Sequence, residues 1–118
     1  MSKSFEDLEV WKKACRQALV IYKTLKETKD YGLKNQMERS AVSVPSNIAE
    51  GQERDTKPDF IRFLRIAKGS NGELRTQLYL ATKLEIISTE QSNELINENK
   101  QISKMLQGLI NSVELQNG

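Results

Sequence analysis

The sequence contains no histidine and a single cysteine, Cys15, among its 118 residues. Without histidine the chain lacks the most common general base, which excludes Ser-His and Cys-His nucleophile pairs and the Glu-x-x-His ligands of di-iron bundles. A lone thiol forms no disulfide and no thiolate zinc site within one chain, so we expect Cys15 to be a small core residue. The sequence therefore predicts a protein that is not an enzyme, with no metal and no cofactor.

Helix breakers and long apolar runs are also scarce. The chain has only 2 Pro and 6 Gly, so it should consist of few, long elements. No apolar run approaches the roughly 20 residues that a membrane-spanning helix needs, and no apolar signal segment follows the charged N-terminus. We therefore expect one domain over residues 1–118, located in the cytoplasm.

Apolar residues instead recur at alternating spacings of three and four, which is typical of helices with one buried face. The pattern predicts helices from about Asp7 to Thr28, from Leu33 to Gly51, from Phe60 to Leu84, and from Ser88 to Val113. Four long helices with short connections favour an all-α, antiparallel, up-down-up-down four-helix bundle. The buried side of the first helix should consist of Leu8, Trp11, Ala14, Cys15, Ala18, Leu19, Tyr22 and Leu25.

Several residues mark where these helices begin, end or bend. Gly32 should supply the turn between the first two helices. Pro45 should kink the second helix near 41–44 without ending it, and Pro58 falls in the first turn of the third, where its missing N–H is tolerated. Three hydroxyl residues stand three positions before an acidic or amide residue, as in a capping box: Ser4 with Asp7, Thr56 with Asp59, and Ser88 with Gln91.

A polar stripe lies beside the apolar one on the second helix, and the third helix carries a counterpart. Either both are solvated faces, or they form a structural hydrogen-bond network between the two helices or at a subunit interface. The second helix contributes Gln36, Ser40, Ser43, Asn47, Glu50 and Arg54, and the third contributes Gly69, Ser70, Glu73 and Gln77.

An antiparallel pairing of these two helices predicts specific contacts across the stripe. Folding the chain back at residues 53–57 places Ser40 near Ser70, and both Gln36 and Arg39 near Glu73. Gly69 would then allow a close approach of the two backbones.

Basic residues are the other candidate site. The formal net charge is only +2, but residues 1–68 carry a balance of +4 and residues 69–118 a balance of −2. We therefore expect an anionic partner to bind the first half of the chain. Lys and Arg on helices are also commonly no more than solvated surface. The candidate nucleic-acid-binding residues are Lys12, Lys13 and Arg16 on the first helix, and Arg62, Arg65 and Lys68 on the third.

Several segments together form a distinctive pattern that spans nearly the whole chain: Phe5–Trp11, Tyr31–Leu33, Arg39–Gly51 with Arg54, and Ile66–Ser70 leading to Glu73-Leu74 and Gln77-Leu78. In these segments the chain resembles a small bacterial four-helix-bundle family first noted as reading frames within intervening sequences of 23S ribosomal RNA genes, sometimes called S23 ribosomal protein. The resemblance implies a four-helix bundle and, in related proteins, a homopentamer. It also extends to the accessory protein of diversity-generating retroelements, which pairs with a reverse transcriptase and presents a basic surface to nucleic acid.

Two functional hypotheses follow, together with a third, less favoured one. The first is a homo-oligomer that binds RNA or DNA phosphates through a repeated basic surface. The alternative is a protein-interaction scaffold, such as the accessory subunit of a nucleic-acid enzyme like a reverse transcriptase, which predicts an exposed apolar or aromatic patch. An enzyme would need a cleft lined by carboxylates, for which Glu50 and Glu73 are the only candidates.

Overall fold

The computed structural model describes residues 4–116, in which four α-helices and one short 3₁₀ helix occur and no strand does. Short connections make consecutive helices antiparallel. The four helices pack into a bundle of about 49 × 20 × 19 Å. The predicted all-α four-helix bundle is thus confirmed. The elements are the 3₁₀ helix Phe5–Asp7, α1 (Glu9–Thr24), α2 (Tyr31–Glu53), α3 (Lys57–Lys83) and α4 (Thr89–Leu115).

The caps of α3 and α4 are those that the sequence predicts. The Thr56 hydroxyl accepts a hydrogen bond from the backbone N–H of Asp59 at 3.3 Å, and the Ser88 hydroxyl accepts one from Gln91 at 3.2 Å. Pro58 lies in the first turn of α3, where no helical hydrogen bond is lost. These bonds satisfy N–H groups that a helix start otherwise leaves unpaired.

The predicted starts of α1 and α2 are wrong in detail. Ser4 accepts from the N–H of Glu6 and caps the 3₁₀ helix, whereas α1 begins at Glu9 without a side-chain cap. α2 begins at Tyr31 because Asp30 accepts from the N–H of Leu33 at 3.2 Å. Gly32 is therefore a helical residue in the first turn of α2. Both errors arise because short polar side chains bond N–H groups two or three residues later, so Ser4 caps the 3₁₀ helix and Asp30 starts α2 ahead of Gly32.

α2 continues through Pro45, as predicted, and ends at Glu53, two residues beyond the predicted Gly51. α3 ends in a turn whose left-handed residue is not a glycine. Glu85 has a φ of 62°, and the N–H of Ile86 bonds to the carbonyl of Ala81 at 2.9 Å. This is a Schellman cap with glutamate in the left-handed position, where glycine is usual.

The buried face of α1 is rotated from the predicted one. Leu19 and Tyr22 are 60% and 46% exposed, whereas Val10 and Ile21 are buried. Each set is spaced by three or four residues, so periodicity alone does not choose between them. Trp11 is half-buried and packs edge-on against Phe5, with ring centroids 5.2 Å apart. The packing of α1 against the other helices therefore decides which set is buried.

The close approach of α2 and α3 occurs at Gly51 and not at Gly69. A Cβ on Gly51 would lie 2.7 Å from the Phe63 Cβ and 3.3 Å from the Phe60 carbonyl oxygen, both on α3. Gly69 is exposed, and nothing lies within 4 Å of its Cβ position. The predicted role of Gly69 is therefore wrong, because Gly51 is the glycine that lets the two helices approach.

The core consists of two apolar clusters separated by a layer of buried amides. One cluster surrounds Ile21, Met37 and Leu78 at the end of the bundle where α1 finishes. The other surrounds Val44 and Leu106 toward the opposite end. Between them lies what we call the amide layer, namely Gln17, Asn71 and Asn99.

Candidate nucleic-acid interface

Six cations lie along the outer surface where α3 meets α4, and we call this surface the α3–α4 basic face. Its α3 members follow one another at helical spacings of three, seven and eight residues, which keeps them on one side of the helix. The two α4 members are four residues apart. The residues are Arg65, Lys68, Arg75 and Lys83 on α3, and Lys100 and Lys104 on α4.

Three contacts between α3 and α4 define the geometry of this face. Arg65 pairs with Glu114 at 2.8 Å, the Lys68 ammonium donates to Gln107 at 2.6 Å, and Arg75 donates to Ser103 at 3.4 Å. These contacts show that the cationic side of α3 is the side adjacent to α4.

The α4 lysines lie on the solvent side of the same contacts. Lys100 stands three residues before Ser103, and Lys104 stands three residues before Gln107, so each is one turn from a residue that contacts α3. Both lysines are exposed. The cations of the two helices therefore share one surface.

Two carboxylates of α4, Glu94 and Glu98, lie on another side of the helix. Glu98 pairs with Lys13 of α1, and Glu94 and Glu98 line a depression of about 340 Å³ between α1 and α4. Within residues 4–116, Glu114 is the one carboxylate in an ion pair with any of the six cations of the α3–α4 basic face. The face therefore keeps most of its positive charge uncompensated.

This arrangement differs from the expectation based on charge balance. The second half of the chain carries a net charge of −2, yet it contributes Arg75, Lys83, Lys100 and Lys104 to the face. The helical structure places Glu94 and Glu98 on the side of α4 that faces α1, away from these cations. Net charge per segment does not reveal such a separation, because it ignores which side of a helix a residue occupies.

The structure does not bring the six predicted cations together. Arg65 and Lys68 lie on the α3–α4 basic face. Lys12 pairs with Glu9 on α1 itself, and Lys13 pairs with Glu98 across to α4. These two ion pairs lower the charge that α1 offers to an anion.

The remaining two predicted cations lie elsewhere. Arg16 is exposed beside the α1–α4 depression, whose other walls include glutamates. Arg62 pairs with Asp59 at 3.6 Å and stacks on the Phe63 ring at 4.5 Å, and Arg54 stacks on the same ring at 5.0 Å. The α1 group and Arg62 therefore do not extend the basic face.

The polar stripe of α2 and α3 makes one hydrogen bond between the helices in the described residues. The Ser43 and Ser70 hydroxyls lie 2.9 Å apart, and Asn47 donates to Ser43 within α2. Ser40 is buried, but its predicted contact with Ser70 is wrong, since Ser43 takes that position. The register of α2 against α3 is therefore shifted by about one turn.

The other members of the stripe are mostly solvated. Gln36, Arg39 and Glu73 are exposed, and no hydrogen bond or ion pair joins them in the described residues. Glu50 is exposed and pairs with Arg54 at 3.0 Å. The Gln77 Oε1 atom is buried without a hydrogen-bond partner among residues 4–116. The stripe is thus largely a solvated face.

The extensive polar network is the amide layer, which the sequence interpretation missed. Gln17 Nε2 donates to Asn71 Oδ1 at 3.0 Å, and Asn99 Nδ2 donates to Gln17 Oε1 at 2.9 Å. Asn71 Nδ2 donates to the Asn99 carbonyl at 2.9 Å and to the Ser103 hydroxyl at 2.8 Å. The network links α1, α3 and α4, and through Ser103 it reaches Arg75 on the basic face.

A signal for this layer was present in the sequence. Each amide occupies a gap in an apolar stripe: Gln17 between Ala14 and Ile21, Asn71 between Ala67 and Leu74, and Asn99 between Leu95 and Ile102. Three polar residues at core positions of three different helices indicate that they meet, because buried amides need partners.

Cys15 lies half-buried on α1. Burial raises the pKa of its thiol above the ordinary value, and the neighbouring Arg16 guanidinium opposes this shift. The thiol is therefore held in its protonated, weakly nucleophilic form at neutral pH.

Two other kinds of site are absent from the described part of the chain. No group of three or more His, Cys, Asp or Glu residues in it is arranged to hold a metal ion. None of its helices is both long enough and apolar enough to span a membrane.

Comparisons with known proteins agree on a family. No curated protein matches the chain. A solved structure of a protein of unknown function from the S23 ribosomal protein family of Bacteroides thetaiotaomicron superimposes with a TM-score of 0.81 at 32% sequence identity, covering 86% of this chain and 97% of that one. The family model described as 23S rRNA-intervening sequence protein matches residues 6–108. The chain therefore belongs to the family of 23S rRNA-intervening sequence proteins.

Proposed function

We propose that this protein is a non-catalytic, self-associating helical bundle that binds RNA or DNA phosphates through the α3–α4 basic face. The observation that carries the proposal is the alignment of six cations on this face with one paired carboxylate, Glu114. Cations that lack a carboxylate partner are free to displace counterions from a polyphosphate chain, which is the main source of affinity in such contacts. Because nucleic acids are intracellular, the proposal keeps the cytoplasmic location that the sequence predicts.

The spacing of the cations fits a backbone-binding role better than a role in reading base sequence. From Arg65 to Lys83 is 18 residues of α3, or about 27 Å at 1.5 Å per residue. Phosphate contacts along such a length orient a strand without reading its sequence. We therefore expect binding with little sequence preference.

The salt dependence of binding tests this proposal. The protein would be titrated against a fluorescently labelled single-stranded RNA and an RNA duplex at salt concentrations from about 50 to 200 mM. If all six cations contact phosphates, log K should fall with log salt with a slope of about −4 for the single strand, a loss of roughly 250-fold over this range. No binding at 50 mM salt, or binding that is indifferent to salt, would refute the proposal.

Self-association is supported by a second surface, the α1–α2 apolar patch, which we define as Leu19, Tyr22 and Val42. All three side chains are more than 40% exposed. Tyr22 and Val42 line the same shallow depression between α1 and α2, and Leu19 lies one turn from Tyr22. Exposed apolar clusters of this kind commonly mark protein contacts. An oligomer would repeat the basic face and raise its avidity.

The mass in solution, measured by light scattering, tests self-association. We expect a multiple of the chain mass, and we expect Leu19→Glu to shift the protein toward the monomer, because a buried unpaired charge disfavours association. Leu115→Glu is the control, since Leu115 is 83% exposed at the end of α4. A monomeric wild-type protein would contradict self-association.

The α1–α2 apolar patch also favours the second candidate function, an accessory subunit that binds a different protein such as a nucleic-acid enzyme. That function predicts a stable protein partner recovered from the native host and little intrinsic affinity for RNA. Leu19→Glu would then abolish recovery of the partner, whereas it would leave the solution mass of the isolated protein unchanged.

A further inference from the structure

The α3–α4 basic face carries an exposed aromatic ring at Tyr79. Tyr79 follows Arg75 by four residues and precedes Lys83 by four, so all three lie on the same side of α3. Its side chain is 49% exposed. The contact of Arg75 with Ser103 also places Lys100, one turn earlier on α4, opposite Tyr79.

Tyr79 differs from Trp11, Phe5 and Phe63 in what surrounds its ring. Trp11 and Phe5 pack against each other, and Phe63 lies beneath two guanidinium groups. Both cation–π contacts in residues 4–116 involve Phe63, so neither Arg75 nor Lys83 covers the Tyr79 ring. Tyr79 is thus an uncovered ring among cations.

We propose that Tyr79 stacks on an unpaired base, so that the α3–α4 basic face binds single-stranded nucleic acid in preference to duplex. This inference rests on the proposed function and specifies its substrate class. Sequence-tolerant sites for single strands combine a positive track for phosphates with aromatic rings that stack on successive bases. Arg75, Lys83 and Lys100 would hold the phosphates on either side of the stacked base.

The Tyr79 ring adds little affinity for a duplex. In an A-form helix the bases are paired and stacked on one another, and proteins contact mainly phosphates and 2′-hydroxyls. Tyr79 offers these groups only its phenolic hydroxyl. The six cations therefore serve both substrates, whereas the ring adds affinity for an unpaired base alone.

The test compares Tyr79→Ala with the wild-type protein on two probes, a labelled oligouridylate of ~16 nucleotides and an RNA duplex of the same length. We expect Tyr79→Ala to weaken binding of the oligouridylate about tenfold and to leave duplex binding within about twofold. Tyr79→Phe should retain wild-type affinity for both, because stacking needs the ring and not the hydroxyl. Tyr31→Ala is the matched control, since Tyr31 is also exposed but begins α2 away from this face.

The outcomes separate this inference from the function on which it rests. If the wild-type protein binds neither probe, the proposed function itself fails. If it binds both with the expected salt dependence, and Tyr79→Ala changes neither affinity or lowers both equally, base stacking by Tyr79 is refuted while phosphate binding stands. Selective loss of single-strand affinity in Tyr79→Ala, with Tyr79→Phe and Tyr31→Ala unchanged, supports the inference.

Discussion

Replacing Asn71 with alanine should lower the free energy of unfolding by about 3 to 5 kcal/mol. The Asn71 side chain is fully buried and forms hydrogen bonds with Gln17, Asn99 and Ser103. Its truncation leaves Gln17 Nε2 on α1 without a partner and removes hydrogen bonds to Asn99 and Ser103 on α4. A buried group that loses its partner costs about 1 to 3 kcal/mol, and the other lost hydrogen bonds add to this cost. Since a domain of this size is stable by only about 5 to 15 kcal/mol, the variant should be close to unfolding.

Urea denaturation followed by circular dichroism measures this effect. Asn97→Ala is the control, because Asn97 lies exposed on α4 and its loss should change stability by no more than about 0.5 kcal/mol. A loss below about 1 kcal/mol in Asn71→Ala would show that the amide layer is not a cooperative network.

A second variant separates the cost of unpaired groups from the value of the layer itself. Replacing Gln17, Asn71 and Asn99 together with leucine removes every member, so no amide is left unsatisfied. We expect this triple variant to be more stable than Asn71→Ala, since apolar replacement of a whole buried polar group is often neutral or stabilising. Lower stability than that of Asn71→Ala would indicate that leucine does not fit the space.

Removing three exposed lysines from the α3–α4 basic face should weaken single-stranded RNA binding about a hundredfold at 0.1 M salt. The variant carries Lys83→Gln, Lys100→Gln and Lys104→Gln, and no ion pair in residues 4–116 involves any of the three side chains. Each lost phosphate contact reduces the salt slope by about 0.7, so three reduce it by about 2. At 1 M salt the variant and the wild type should bind with similar, weak affinity.

The matched control removes the same charge from α1, with Lys12→Gln, Lys13→Gln and Arg16→Gln. Both triple variants change the formal net charge from +2 to −1, so a general effect of net charge would weaken both equally. We expect the α1 variant to keep most of its affinity, because Lys12 and Lys13 are already paired with carboxylates. A larger loss in the α1 variant would place the interface on α1, where the sequence predicted part of it.

Several features of this protein follow from local sequence. The starts of α3 and α4 depend on single hydrogen bonds from Thr56 and Ser88 to N–H groups three residues later, and these were predicted correctly. The number of helices and their antiparallel order also followed, because apolar periodicity and chain length are enough to define them.

The candidate site was predicted only in part. The sequence placed Arg65 and Lys68 on one face of α3, and in the structure both side chains contact α4. Lys100 and Lys104 were missed, because they lie more than 30 residues further along the chain and join the face only when α4 packs beside α3. The negative net charge of residues 69–118 also gave no indication that this half of the chain contributes cations to a basic face.

The sequence by itself determined that four amphipathic helices form and where two of them begin, since those outcomes depend on neighbours three or four residues apart. Only the tertiary structure decided that Ile21 and not Leu19 is buried on α1, that Gln17, Asn71 and Asn99 meet, and that cations of α3 and α4 share a surface. The physical reason is that burial, amide pairing and surface charge depend on the relative rotation and register of packed helices, which residue spacing along one helix leaves open.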